Sequence, residues 1–191
     1  MYNLLSIDLD WLQSGYHLKE LNKLFFDKVK YTKKIIFGNH HHIILEDLKQ
    51  IKNINLYNID HHHDIVYKDW QVNDIKINRS SHGCWIGNLL EQNRVKKYHW
   101  FKNFNSVPVQ ESYYSEELLL RNSVEFFTFE NLYELEFINF DHIFVCKSAE
   151  YTYKEFVGTY DVYLDFCKSF FDNITFERKL KIDVPNARMN I

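Results

Sequence analysis

The 191-residue chain is short of cysteine, of net charge and of long apolar runs. Its three cysteines, Cys84, Cys146 and Cys167, are widely spaced and form no Cys-x-x-Cys pair. That excludes a disulfide framework or a zinc knuckle and reads as reduced thiols in a cytoplasmic protein. A formal net charge of −3 leaves no basic footprint for nucleic acid or an anionic membrane surface. The short run "KVKYTKK" reads as a solvated helix end. No stretch approaches the ~20 apolar residues of a transmembrane helix. The start, "MYNLLSIDLDW", has no basic leader, and acids interrupt its apolar run, so it does not read as a signal peptide. Without repeats, low-complexity linkers or a second domain, residues 1–191 read as one domain with one core.

What the chain does have is alternation. "NLLSID", "KKIIFG" and "INLYNID" read as strands, and "VEFFTF" and "HIFVCKS" as buried ones. Between them, "HLKELNKLFFDKVK" places Leu18, Leu21, Leu24, Phe25 and Val29 near helical spacing. "IILEDLKQIK" and "GCWIGNLLEQN" also read as helices, "SEELLLRN" as a short helix opened by Ser115, and "YKEFVGTYDVYLDFCKSFF" as a long one. "VYKDWQVNDIKINRSS" reads as a loop, "KYHWF" as extended, and "KLKIDVPNARMNI" as a last strand or a tail. Strand–helix alternation predicts an α/β fold with a mainly parallel sheet and helices on both faces. Such sheets bind ligands at the carboxyl ends of their strands.

Three polar clusters fall at such ends. Asp8 and Asp10 close the first strand, His40 in "FGNHHHII" follows the second, and "NIDHHHD" (58–64) ends the third. In extended chain, side chains two apart share a face, so Asp60, His62 and Asp64 would point together, with His61 and His63 opposite. Adding Asp8, Asp10 and one histidine of the earlier run gives four carboxylates and two imidazoles. Carboxylates so crowded raise each other's pKa, and two divalent cations would balance them. Oxygen-rich ligation with some imidazole suits manganese, with zinc and iron as the other ions to consider. Two ions about 3.5 Å apart can share a water and make it a nucleophile at neutral pH. His41, His42, His61 and His63 stay open for supporting roles, and His41 or His42 could replace His40 as ligand. Trp11 and Trp85 adjoin the motifs and read as core aromatics or as stacking partners for a cation.

These motifs resemble those of the ureohydrolase (arginase/agmatinase) superfamily, within the arginase–deacetylase fold. The DxHxD hallmark is matched by Asp60, His62 and Asp64, and SxDxD by Ser6, Asp8 and Asp10. Gly38-Asn39-His40 stands where that family has Gly-Asp-His. "SSHGCWIGNLL" is similar to its HG segment, making His82 the histidine of the site mouth, and "HIFVCKSAE" to its late strand, making Glu150 the guanidinium-binding acid. SxDxD precedes DxHxD here, the reverse of the free-arginine arginases, and the chain is much shorter than theirs. In both respects it is most similar to the compact peptide arginases of ribosomal-peptide maturation.

The resemblance implies a three-layer fold and two Mn2+ ions held by Asp8, Asp10, His40, Asp60, His62 and Asp64. Asp8 and Asp60 would bridge; His40 and Asp64 would complete one ion, His62 and Asp10 the other. The partner would be an arginine-containing precursor peptide, whose side chains become ornithine with release of urea. His82 would protonate the leaving amine. Three other readings remain: a manganese phosphoesterase of the DHH type (Asp60-His61-His62), a zinc deacetylase, and a metal-dependent peptide-binding module. Oligomeric state is left open by the sequence.

Overall fold

The computed structural model describes residues 1–77, 79, 83–109, 113–170 and 175–176. Its strands are β1 (Tyr2–Asp8), β2 (Lys34–Gly38), β3 (Ile54–Ile59), β4 (Val95–Phe101), β5 (Glu125–Phe129), β6 (His142–Cys146) and the two-residue β7 (Thr175–Phe176). They form one seven-stranded sheet in the order β5-β4-β3-β1-β6-β2-β7. Every pairing is parallel, as the alternation predicts.

Helices cover both faces. α1 (Gly15–Lys28) and α6 (Thr159–Phe170) pack on Leu5, Ile7, Ile35, Phe37, Ile143 and Val145. α2 (His42–Leu48), α3 (Asp69–Lys76), α4 (Trp85–Glu91) and α5 (Tyr113–Arg121) pack on the opposite face, against Leu4, Ile36, Leu56, Tyr98 and Phe144. The assignment follows from handedness. Going from β1 to β2 and from β6 to β7 the chain moves one way along the sheet, and it moves the other way through β3, β4 and β5. Right-handed crossovers then require helices on opposite faces for the two directions.

Local chemistry explains the elements, and the places where the sequence reading missed them. Ser14 caps α1, its hydroxyl accepting from His17 N at 3.3 Å. Residues 66–81, read as loop, contain α3. Gln71 Oε1 accepts from Tyr67 N (2.7 Å) and Lys68 N (2.9 Å), closing the helix start, while Ile75 is its buried apolar anchor. With so few apolar positions, no helical periodicity shows. α5 opens at Tyr113 and not at Ser115, whose buried hydroxyl instead exchanges hydrogen bonds with the Val66 backbone. α6 starts at Thr159, because residues 151–158 form successive turns that the aromatic pattern disguised. β5, read as buried, is the sheet edge, with Phe127 41% exposed. The stretch read as a last strand or tail, residues 179–191, lies outside the described residues.

Among the described residues no helix is long and apolar enough to cross a membrane.

Candidate metal centre

The site lies at the carboxyl ends of β1, β3 and β6, on the face covered by α2–α5. Register sets it: Ile7 pairs with Ile59, and Asp8 with Cys146, so Asp8 and Asp60 end neighbouring strands. Asp8, Asp10, Asp60 and Asp64 are all buried.

Extended-strand alternation is not what brings the other carboxylates in. After Asp8 the chain turns into a single 3-10 turn, and Asp8 Oδ1 accepts from Asp10 N at 3.1 Å. β3 ends at Ile59, and residues 60–64 bend. Asp60 Oδ1 accepts from His62 N at 2.7 Å, and Asp64 takes a left-handed conformation with φ 49°. A ring of aromatic donors pins this bend. Trp100 Nε1 donates to Asp60 O (3.0 Å), Tyr98 Oη to His63 O (2.8 Å) and Trp85 Nε1 to Asp64 Oδ2 (2.8 Å). The Asp64 carbonyl accepts from Ile86 and Gly87 at the start of α4. A Cβ at Gly87 would stand 2.4 Å from Ile65 O, so only glycine allows this approach.

Donor atoms converge in three groups, each with mutual separations within 4.8 Å: Asp10, Asp60 and His62; His41, Asp60 and Asp64; and Asp8, His41 and Cys146. Asp60 belongs to two of them. His62 Nδ1 lies 3.0 Å from Asp10 Oδ2, and His41 Nδ1 lies 3.6 Å from Asp8 Oδ2 and 3.7 Å from Asp64 Oδ2. Of the sequence-derived set, Asp8, Asp10, Asp60, His62 and Asp64 are thus together. The histidine that joins them is His41, not His40. A turn after β2 carries His41 inward, where its ring stacks on Trp85 (4.9 Å, 8°). His40 instead faces Glu150, with Nε2 3.8 Å from Oε1.

Glu150 is 62% exposed at its side chain and stands outside the carboxylate cluster. His82 lies outside the described residues. The remaining histidines divide. His61 lines the mouth, its Nδ1 2.9 Å from Asn103 Oδ1. His63 is buried, accepts from Ile65 N and stacks on Tyr67; burial first, and then the nearby His62, pushes its pKa down to about 3. Trp11 is core, packed on His17.

Electrostatically the centre is one-sided. Burial foremost, then neighbouring carboxylates, raises the pKa values of Asp8 and Asp60 well above the carboxylate range. Burial likewise lifts Asp64 to about 7, against the lowering influence of His62. For His62 burial opposes protonation, but the Asp10 hydrogen bond and charge outweigh it and its pKa rises. Among the described residues, the ion-pair partners of these four carboxylates are His41 and His62. No lysine or arginine there neutralises them, and buried carboxylates without a countercharge call for a cation. Oxygen and imidazole donors this close fit divalent metal, and a carboxylate shared by two donor groups fits two ions.

Sequence reasoning missed Ser148, which donates to Asp8 Oδ2 at 2.6 Å, and Cys146, which ends β6 beside it. The opening is a cleft of about 240 Å3 lined by Asp10, Gln13, His61, His62, Tyr151 and Tyr153. The two tyrosines come from the turns before α6 and carry no motif.

No family model, curated protein or solved structure matches this chain.

Proposed function

We propose that the protein is a binuclear-metal hydrolase that converts peptidyl-arginine side chains to ornithine, releasing urea. The observation carrying this reading is Asp60, shared by two donor groups in a buried carboxylate cluster whose ion-pair partners among the described residues are histidines, with no lysine or arginine. Three-layer architecture with converging strand-end motifs is what the resemblance to ureohydrolases implies. The Asp8 and Asp60 motifs end adjacent strands, the histidine run follows β2 on the far side of β6, and the sheet order accommodates the reversed motif order. Only convergence of strand ends matters to such a site.

One ion would be held by Asp10, Asp60 and His62, the other by His41, Asp60 and Asp64. Bound there, such a pair supplies positive charge and a water acidified to near neutral pH. The protein's own groups do the rest. Asp10 and the Tyr151 and Tyr153 rings line the cleft, where a carboxylate and aromatic faces favour a planar cation. Attack at the guanidinium carbon breaks its bond to the side-chain nitrogen, and that nitrogen leaves as an amine needing a proton. His82 takes this role by the resemblance. His61 stands in the cleft wall, with Nδ1 directed to Asn103 Oδ1, so Nε2 is the nitrogen that can carry the proton. The cleft is open to the surface, which suits a side chain presented on a polymer.

The same lining argues against a phosphodiesterase. Asp10, Gln13, His61, His62, Tyr151 and Tyr153 include no lysine or arginine to receive a phosphate anion. A deacetylase would use one ion and leave the second donor group without a role.

The test is the mass of an arginine-containing peptide after incubation with the manganese-loaded protein. A loss of about 42 Da per arginine, the difference between a guanidine and an amine after urea release, is expected. An unchanged peptide, together with turnover of an acyl-lysine or phosphodiester substrate, would replace this reading with a rival. Retained metal with no turnover of any of these would make the protein a binding module.

A further inference from the structure

We infer that Cys146 is a thiolate ligand of the ion in the His41 half of the centre, so that this half takes a thiophilic ion such as zinc, cobalt or iron(II) while the Asp10–Asp60–His62 half keeps manganese. This inference rests on the two-ion reading above and adds a donor that none of the sequence motifs contains.

Position comes first. Cys146 is the last residue of β6, which lies between β1 and β2, and it is in register with both Asp8 and Gly38. Its side chain is fully buried on the same face as Asp8, three residues' reach from His41 after the β2 turn. The Asp8, His41 and Cys146 donor atoms lie within 4.8 Å of one another. Ligands arranged tetrahedrally about one zinc, with Zn–S about 2.3 Å and Zn–N or Zn–O about 2.0–2.1 Å, stand roughly 3.4–3.6 Å apart. His41 Nδ1 and Asp8 Oδ2 are already at 3.6 Å. Closing the group on an ion therefore asks only for a side-chain shift by the sulfur.

In the metal-free protein Cys146 is a thiol, because burial first and then the Asp8 charge push its pKa up, and a bound cation is what would draw off its proton. Sγ lies 3.2 Å from Ser148 Oγ and 3.4 Å from the Asn39 carbonyl, and Ser148 donates to Asp8 Oδ2. One hydroxyl thus spans the carboxylate and the sulfur, an outer contact of the kind that orients metal ligands. Mixed sulfur, imidazole and carboxylate donors favour zinc, cobalt or iron(II), whereas oxygen donors with a single imidazole favour manganese. The centre would be chemically asymmetric, with sulfur only on the Asp8–His41 side.

The alternative role for Cys146 is that of a small buried apolar residue, and cobalt distinguishes the two. The full-length protein is titrated with Co2+ and its absorbance followed in the visible region, which reports bound cobalt, and in the near ultraviolet, where thiolate-to-cobalt charge transfer appears. Expected are a near-ultraviolet band in the wild type, its loss in Cys146→Ser with visible absorbance retained, and its persistence in Cys84→Ser. Zinc should displace manganese from one of the sites at least ~10-fold less effectively in Cys146→Ser than in the wild type, the scale on which changes near a metal alter its affinity. Should Cys146→Ser fail to fold, Cys84→Ser and Cys167→Ser decide, since a band surviving both belongs to the remaining cysteine. Bound cobalt without a near-ultraviolet band, or a band that survives Cys146→Ser, overturns the inference and leaves the two-ion site standing. Failure to bind cobalt, zinc or manganese at all overturns both.

Discussion

On the face covered by α1 and α6, β1 presents Leu5 and Ile7, and β3 presents Tyr57 and Ile59. On the other face the same strands present Leu4 followed by Ser6 and Asp8, and Leu56 followed by Asn58 and Asp60. The first face is apolar to the strand ends, and over it Phe25 of α1 stacks on Tyr163 of α6 at 3.9 Å. The second gives up its last rows to groups that cost free energy to bury. Removing an ionised carboxylate from water costs on the order of several kcal/mol unless a partner compensates. Apolar burial is concentrated on the face away from the carboxylate cluster, and a single strand serves both faces because its side chains alternate.

Substitutions should therefore have opposite signatures on the two faces. Phe25→Ala removes a fully buried ring, and the cavity left behind should cost about 3–5 kcal/mol. Denaturant unfolding would measure this, and metal content per folded molecule should stay unchanged. A loss of metal at intact fold would show that the two faces are not separable.

Asp60→Asn should do the reverse. Removing the shared carboxylate should weaken metal binding by more than ~100-fold, beyond the usual range for residues that only support a ligand, and abolish turnover with it. Stability of the metal-free protein should not fall, because the amide keeps an acceptor oxygen for His62 N and, like the protonated acid it replaces, carries no charge. Calorimetric titration with manganese and thermal unfolding in chelator check the two halves. Full metal binding in this variant would remove Asp60 from the centre.

A gentler probe is pH, since each proton held by the fold and released on unfolding is worth about 1.4 kcal/mol per pH unit. Burial raises the pKa values of Asp8, Asp60 and Asp64, the last to about 7. Above about pH 4 the unfolded chain has released these protons and the folded protein keeps them. These carboxyls should therefore take stability away from the metal-free protein as pH rises from about 4 through 7. His63, His99 and His142, whose pKa values burial holds at about 3, 4 and 4, add stability up to about pH 6.5. The carboxyl part is read as the difference between the wild type and Asp64→Asn. Metal binding needs the ionised forms, so manganese affinity should rise over the same range with release of protons. Melting temperatures in chelator and in manganese would separate the two trends. A wild-type melting temperature that climbs relative to that of Asp64→Asn as pH rises would contradict the buried-charge account.

Much of this was legible in the chain. Alternating apolar runs marked the parallel sheet, and clustering of Asp and His after three of those runs marked its working end. Asp8, Asp10, Asp60, His62 and Asp64 were readable together: a single acid at a strand end caps a turn, as Asp8 and Asp60 do here, but clusters of acids and imidazoles after three strands exceed what capping needs. The identity of the remaining imidazole was not readable. Three consecutive histidines differ only in how the chain leaves β2, and the turn that turns His41 onto Trp85 has no local signature. Asp64 was placed correctly for a reason other than the one the alternation supplied: a left-handed bend held by Trp85 and the start of α4.

By itself, then, the sequence determined the α/β class, the parallel sheet and the gathering of acids and imidazoles at its carboxyl end, because side-chain period and residue type are local properties. Tertiary structure decided the rest. Which histidine turns inward, that Cys146 and Ser148 lie beside Asp8, and that Tyr151 and Tyr153 form the mouth while Glu150 faces His40 all depend on strand register and turn geometry. Those arise from contacts between residues distant in the chain, from His41 with Trp85 to Ser148 with Asp8, and no short window of sequence contains both partners.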